Sequence, residues 1–304
     1  MNIKMKGLCA SLALLLFPAA CSEQKVELSN GATEIVGPAL WETGDEDTKV
    51  YLFGTVHVLP ASLVWRNEKF NSAFKEADTL YLEADVSGQD ASLMRAVAQL
   101  GFMPLGKDLF SELGEKRSKE IKEAALSLEM PTASLSKMRP WLAATALTMR
   151  AIEANGQDPE AGVEQVLAPE AKAEGMRMRY FETAEEQLSF MANLKEETQI
   201  DMLMETARQL DVLGQMIVKM DNAWVVGDIA GLEEIVMSDP SMASEELMDV
   251  MLTKRNENWV VELNKVIEQE QGVFFVAVGA AHLIGDNSVV KMLEDSGIEV
   301  KRIQ

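Results

Sequence analysis

Gly272-Val273-Phe274-Phe275-Val276-Ala277-Val278, followed by Gly279-Ala280-Ala281-His282, is the stretch on which the fold turns. A short, nearly unbroken apolar run rich in valine and phenylalanine reads as a buried strand. The same context occurs near the other end, in Tyr51-Leu52-Phe53-Gly54-Thr55-Val56-His57. Each apolar strand is followed by a glycine that lets the backbone turn tightly, two small or β-branched residues, and a histidine. His57 and His282 are the only histidines in the chain. Ligands of open α/β sheets bind beyond the carboxyl ends of the strands. If these two strands are parallel neighbours, both imidazoles reach one edge of the sheet.

Around these strands the pattern alternates. Pro38 to Glu42 and Lys49 to Phe53 read as a hairpin with its turn at Gly44-Asp45-Glu46-Asp47. A helix is expected from about Asn67 to Ala77, and a short strand, Thr79 to Leu82, ends at Glu83. From about 90 to 270 the chain is mainly helical. Apolar residues recur at three- and four-residue spacings through Ile121 to Met130, Trp141 to Ile152, Gln187 to Leu194, Ile200 to Met220 and Leu247 to Ile267. Arg139-Pro140-Trp141 reads as a structural helix start, with Pro140 in the first turn. One strand-like break, Met176 to Phe181, is followed by capping-box spacing at Thr183 to Glu186. After the buried strand come a helix from Asp286 to Asp295 and a last strand from Gly297 to Ile303. The expectation is an α/β fold: a mixed, largely parallel sheet core with a large inserted helical region. Many of the 19 methionines lie in that region and read as adaptable core filler rather than a metal-binding cluster.

The N-terminus has a different character. Met1 to Lys6 is basic, Gly7 to Phe17 is apolar but too short to span a bilayer, and Pro18-Ala19-Ala20-Cys21 follows. Residues 1–20 read as a lipoprotein signal peptide, with Pro18 standing where a leucine-like residue is usual, and Cys21 as the acylated first residue. Residues 21–36 read as a flexible tether and 37–304 as one domain. Ser22 after Cys21 fits an exported lipoprotein facing the periplasm and carried to an outer membrane, where the source has one. Loss of Cys9 with the signal leaves Cys21 alone, so no internal disulfide is expected. The formal charge of −21, more acidic still without Lys4 and Lys6, repels nucleic acid and anionic lipid surfaces.

The candidate chemistry lies at strand ends. Glu83 closes one strand and Glu182 another; a carboxylate there could ligate a metal, act as a general base or orient a histidine. Arg255, with Asn256 before Trp259, could bind a substrate carboxylate or a developing oxyanion, or form a salt bridge in an acidic protein. Two imidazoles with one or two carboxylates suit a divalent ion such as Zn, Mn, Co or Fe. Such an ion meets the requirements of hydrolysis. No His-Glu-x-x-His helix, Cys-x-x-Cys pair, Gly-x-Ser-x-Gly elbow or P-loop is present. Metal-free acid/base chemistry by a histidine–glutamate pair therefore stays open.

An ordered set of motifs resembles the TraB/GumN family over about residues 36–303. The set comprises Gly54-Thr55-Val56-His57, Leu82-Glu83, Pro140-Trp141, Gly162-Val163-Glu164, Phe181 to Gln187, Arg255-Asn256 and Val278 to Leu283. That family is similar to the metal-dependent Tiki proteases, with two Gly-x-x-His motifs and an acidic residue. It also resembles a wider group that includes erythromycin esterase and the haem-binding ChaN proteins. The resemblance implies an α/β core with inserted helices. It implies metal or catalytic roles for His57 and His282, and for Glu83, Glu182 and Arg255. Glu164 departs from the aspartate frequent in relatives and reads as structural. The leading expectation is an extracytoplasmic metal-dependent hydrolase of peptides or other small substrates. In it His57, His282 and Glu83 or Glu182 hold the ion, and the other carboxylate activates water. The alternatives are a lipid-anchored metal- or haem-binding module without turnover, and a metal-free esterase-like enzyme.

Overall fold

The computed structural model describes residues 26–27, 33–34, 37–85, 91–238, 240 and 244–304. The chain divides into a unit of residues 1–35 and a body of residues 36–304. In the first, β1 (Val26–Glu27) pairs antiparallel with β2 (Thr33–Glu34). The signal segment, Cys21 and the rest of the tether lie outside the described residues. Among the described residues no helix is long and apolar enough to cross a membrane.

In the body, β3 (Leu40–Gly44) and β4 (Thr48–Thr55) form the hairpin. Gly44 supplies a φ of 136° at its turn, and the Asp45 carboxylate accepts from the Asp47 and Thr48 amides. With β5 (Thr79–Ala84), β6 (Arg177–Glu182), β7 (Gly272–Gly279) and β8 (Lys301–Arg302) they make one sheet in the order β6-β5-β7-β4-β3-β8. The four strands from β6 to β4 are parallel, and β3 and β8 are antiparallel additions. The sheet is therefore mixed and largely parallel. The last strand is shorter than the sequence pattern predicts, because only Lys301 and Arg302 pair with β3. The preceding helix starts at Val289 rather than Asp286, where the Ser288 hydroxyl caps it by accepting from the Lys291 amide.

Alternate residues of each central strand enter opposite layers. Tyr51, Phe53, Leu80, Leu82, Phe275 and Ala277 pack on one face, against Phe70, Phe74, Leu167 and Trp224. Val50, Leu52, Tyr81, Phe274, Val276 and Val278 pack on the other, against Trp259, Leu263 and Leu293. The strands look apolar throughout because both faces are covered. Each of these large side chains contributes about 1.5–3 kcal/mol by burial. The helix over Glu68–Glu76 begins at Asn67, whose side chain accepts from the Phe70 amide.

The helical region has its own core, formed by helices Leu109–Ser127, Pro140–Ala154 and Glu196–Val225. Pro140 occupies the first turn of its helix, and Thr183 and Glu186 form the reciprocal capping box. Arg139 donates to the Leu100 and Ala192 carbonyls, as a structural residue would. The pattern from Leu247 to Ile267 is not one helix. A π-helical turn, Asp249–Thr253, separates Glu245–Met248 from Lys254–Gln269. Trp224, near the end of the longest helix, donates from its indole to the Gly54 carbonyl at 2.8 Å, which ties the helical region to β4.

Candidate functional site at the carboxyl edge of the sheet

Strand register brings the separated motifs together. Thr55 of β4 lies beside Gly279 of β7, Ala277 of β7 beside Leu82 of β5, and Ala84 of β5 beside Glu182 of β6. Because all four strands are parallel, His57, His282, Glu83 and Glu182 leave the sheet at the same edge. The two strand–glycine–histidine motifs are side by side.

Arg255 occupies the space between the acids. It sits on the second residue of helix Lys254–Gln269, directly after the π-helical turn, and is buried. Its Nη2 donates to Glu83 Oε2 at 2.6 Å and to Glu182 Oε2 at 3.0 Å, and its Nε donates to Glu182 Oε1 at 2.7 Å. Glu182 also accepts from the Trp259 indole at 3.0 Å. Glu83 is held from two further sides, by the Gly279 amide at 2.7 Å and Gln187 Nε2 at 2.9 Å. Burial alone would raise the Glu83 pKa. The charges of His282, Arg255 and His57 and the Gly279 amide outweigh it and bring the carboxyl down to about 2. Burial pushes Glu182 up, partly offset by Arg255.

The tautomer of His282 follows from its neighbours. Asn256 Nδ2 donates to the Asn287 carbonyl at 2.7 Å, which turns Asn256 Oδ1 toward His282 Nδ1 at 2.5 Å. Nδ1 therefore carries the proton. Nε2 keeps a lone pair, 3.1 Å from Arg255 Nη1 and 3.7 Å from Glu83 Oε1. Burial drives the pKa of this imidazole down to about 3, so it is neutral at working pH. The ring packs on Trp259 at 4.3 Å between centroids, and Phe181 stacks on the same indole at 5.0 Å.

His57 has the opposite charge state. Its Nδ1 donates to Glu164 Oε1 at 2.9 Å, and the same oxygen accepts from the Thr55 hydroxyl. The negative charge of Glu164 raises the His57 pKa to about 9 against the cost of burial. The ring is walled by protein on this side yet 68% of its side-chain surface stays open to a cavity. The first turn of helix Val163–Glu174, which carries Glu164, runs close under the motif. A Cβ on Gly162 would lie 2.1 Å from the His57 carbonyl oxygen, and the Val163 amide donates to the Val56 carbonyl at 3.1 Å. The structural reading of Glu164 takes a specific form here, since it is the partner of His57. The Gly-Val-Glu motif was the available signal, but the contact between this helix start and the strand end is visible only in the fold.

The groups face a common point. A Cβ on Gly279 would sit 3.1 Å from Glu83 Oε1, 3.6 Å from His282 Cδ2 and 3.9 Å from His57 Nε2. Gly279 is needed there for room rather than for a turn, because its φ is an ordinary −50°. Above this floor is a cavity of about 560 Å³ reached by His57, Glu83, Arg255 and His282. Glu182 stands behind Arg255 and is not among the described residues lining the cavity. That position suits holding Arg255 in place and is poorly suited to activating water. The salt bridges expected of Arg255 are present, and it lines the cavity as well.

The donor set fits a divalent ion in identity and orientation. Each histidine has its Nδ1 engaged by a side-chain oxygen, which turns Nε2 inward as in metal-ligating histidines, and Glu83 offers a carboxylate oxygen at the same point. The spacing is open: among the described residues no three His, Cys, Asp or Glu side chains are grouped to hold an ion. Ligation would require the donors to close and Arg255 Nη1 to release His282 Nε2.

The profile described as the TraB/PrgY/gumN family matches residues 39–302, and the chain belongs to that family. It is 23% identical to the protein YbaP of Escherichia coli K12 over 256 residues, 84% of this chain and 92% of YbaP. The Shigella flexneri YbaP aligns with the same identity and coverage. "Metalloprotease TIKI1" of Danio rerio is 24% identical over 314 residues, 86% of this chain and 62% of that protein. No solved structure matches.

Proposed function

We propose that this TraB/PrgY/gumN protein is a metal-dependent peptidase working outside the cytoplasm. The observation that carries the reading is the convergence of His57 Nε2, His282 and Glu83 Oε1 on the space left by the missing side chain of Gly279. His57, His282 and Glu83 would hold the ion, which supplies Lewis acidity to a peptide carbonyl and lowers the pKa of a bound water. Glu164 and Asn256 orient the two rings. Glu83, a carboxylate across the whole working range, suits ligation better than proton uptake. Four of the five Arg255 N–H groups are held by Glu83, Glu182 and the Met251 carbonyl, so the Nη1–H that faces His282 is the one that would turn to the oxyanion developing on the substrate, and Glu182 with Trp259 keeps the guanidinium aimed.

The experiment is peptide hydrolysis with elemental analysis of purified protein beside its His282→Ala variant. The reading expects a stoichiometric divalent metal, lost in the variant, and activity abolished by chelator and by either His57→Ala or His282→Ala. Metal-restored peptidase activity that survives both substitutions would overturn it. The proposal also places the protein on a membrane through acylated Cys21. Labelling with a fatty acid that persists in Cys21→Ser would reject that anchor.

One observation favours a second reading. Arg255 takes the His282 lone pair, while Glu164 orients His57 and holds it protonated below about pH 9, so the pair donates a proton to a leaving group at working pH and accepts one only above that value. Metal-free, esterase-like hydrolysis by that pair would be insensitive to chelator and lost in Glu164→Ala. Ion or haem binding without turnover would favour the non-catalytic alternative.

A further inference from the structure

We infer that the cavity over the sheet edge is a side-chain subsite that takes one uncharged, unbranched aliphatic side chain of a peptide beside the bond to be cut. The inference rests on the hydrolase reading and names its substrate class. Met149, Met191, Met202, Met220 and Met251 come from different stretches of the helical region and line one space of about 560 Å³. These methionines do more than fill the core, as their composition alone suggested. Unbranched thioethers on several walls make a surface that re-forms around flexible apolar groups. The charged groups lining the cavity, His57, Glu83 and Arg255, belong to its floor together with neutral His282. The described walls carry no charge that would pair with a lysine or a glutamate, and burying an unpaired charge there is strongly unfavourable. Thr145, Thr148 and Thr206 also line the space. Their hydroxyls offer partners to peptide amides, which a plain acyl chain would leave unused. The floor sets the reacting bond next to this wall.

Calorimetric titration of the full chain with N-acetyl amino-acid methylamides tests the inference without turnover. Affinity should rise about fourfold per added methylene from alanine through norvaline to norleucine, the value of burying one CH₂. The lysine derivative should bind no better than alanine. Thr145→Trp, which projects a ring into the cavity from an exposed helix position, should flatten the series. Met149→Ala should move the preference to longer side chains. An equal affinity across the series, a lysine derivative as tight as norleucine, or a dodecanoate site that the amides fail to displace would each overturn it. A rising series with no peptide hydrolysis would keep the subsite and remove the peptidase. Hydrolysis with a flat series would do the reverse.

Discussion

His57 and Glu164 are paired through Nδ1 and Oε1 at 2.9 Å, which leaves His57 Nε2 as the ring nitrogen presented to the cavity. The pairing predicts two widely separated titrations in a chain with only two histidines. In the metal-free protein, imidazole NMR signals should show His57 changing charge near pH 9 and His282 near pH 3. Glu164→Gln should return His57 toward its ordinary value near 6.5. Two superimposed titrations near 6.5 would contradict the geometry.

The same pair gives stability a defined pH window. A histidine whose folded pKa is raised contributes fully below its unfolded value of about 6.5, and the contribution is lost as pH rises through about 9. Glu164 is held below 4.5 by His57 and loses its contribution as pH falls below that value. The difference in thermal midpoint between wild type and Glu164→Gln should therefore be largest between about pH 4.5 and 6.5 and shrink above pH 9. A difference independent of pH would mean that packing, not charge, joins the two residues.

Arg255 is the only cation on Glu182 and one of three donors to Glu83 among the described contacts. Arg255→Met leaves two buried carboxylates without their counter-charge, and breaking such a network costs about 3–5 kcal/mol. The double variant Arg255→Met, Glu182→Gln should recover part of that loss, because one of the stranded charges is gone. Chemical denaturation of the set measures the coupling. Additive losses would show that Arg255 and Glu182 do not act as a unit.

The strand-end residues were legible in the sequence because an apolar run that stops at Glu83 or at Gly279-Ala280-Ala281-His282 marks where a buried strand meets solvent. Their convergence needed only the parallel pairing of β4, β5, β6 and β7, which strands interleaved with helices made the natural expectation. Glu164 was not legible as a partner of His57. That contact depends on the first turn of helix Val163–Glu174 passing under the strand end, and no local periodicity encodes it. The π-helical turn before Arg255 was hidden for a related reason, since the apolar spacing from Leu247 to Ile267 continues across it. The place of the methionines was not legible, because five of them line one cavity only after separate elements of the helical region assemble.

Asn256 fixes the proton of His282 on Nδ1, so Asn256→Ala should damage ligation while sparing the other histidine. Loss of such an orienting partner typically costs 10–100-fold in metal affinity or activity. The expected result is that weakening for added Zn or Mn, with the His57 titration unchanged. Undiminished affinity would show that the indole of Trp259 alone sets the ring.

Gly279→Ala tests the convergence most directly. The backbone accepts alanine, since φ is −50°, and the substitution lowers the entropy of the unfolded chain by an equivalent of about 0.4–1 kcal/mol. Against that, the new Cβ would lie 3.1 Å from Glu83 Oε1, a contact that the carboxylate can relieve only by moving. Glu83 is held by the Gly279 amide, Gln187 and Arg255, so relief strains those bonds, and overpacking of this kind costs about 1–3 kcal/mol. The two effects partly offset, leaving a net cost of about 1 kcal/mol in stability, whereas at the floor of the cavity the methyl group fills the point that Glu83, His57 and His282 face. The thermal midpoint should therefore move by only a few degrees while kcat falls at least about tenfold. Full activity in Gly279→Ala would mean that the chemistry happens elsewhere in the cavity.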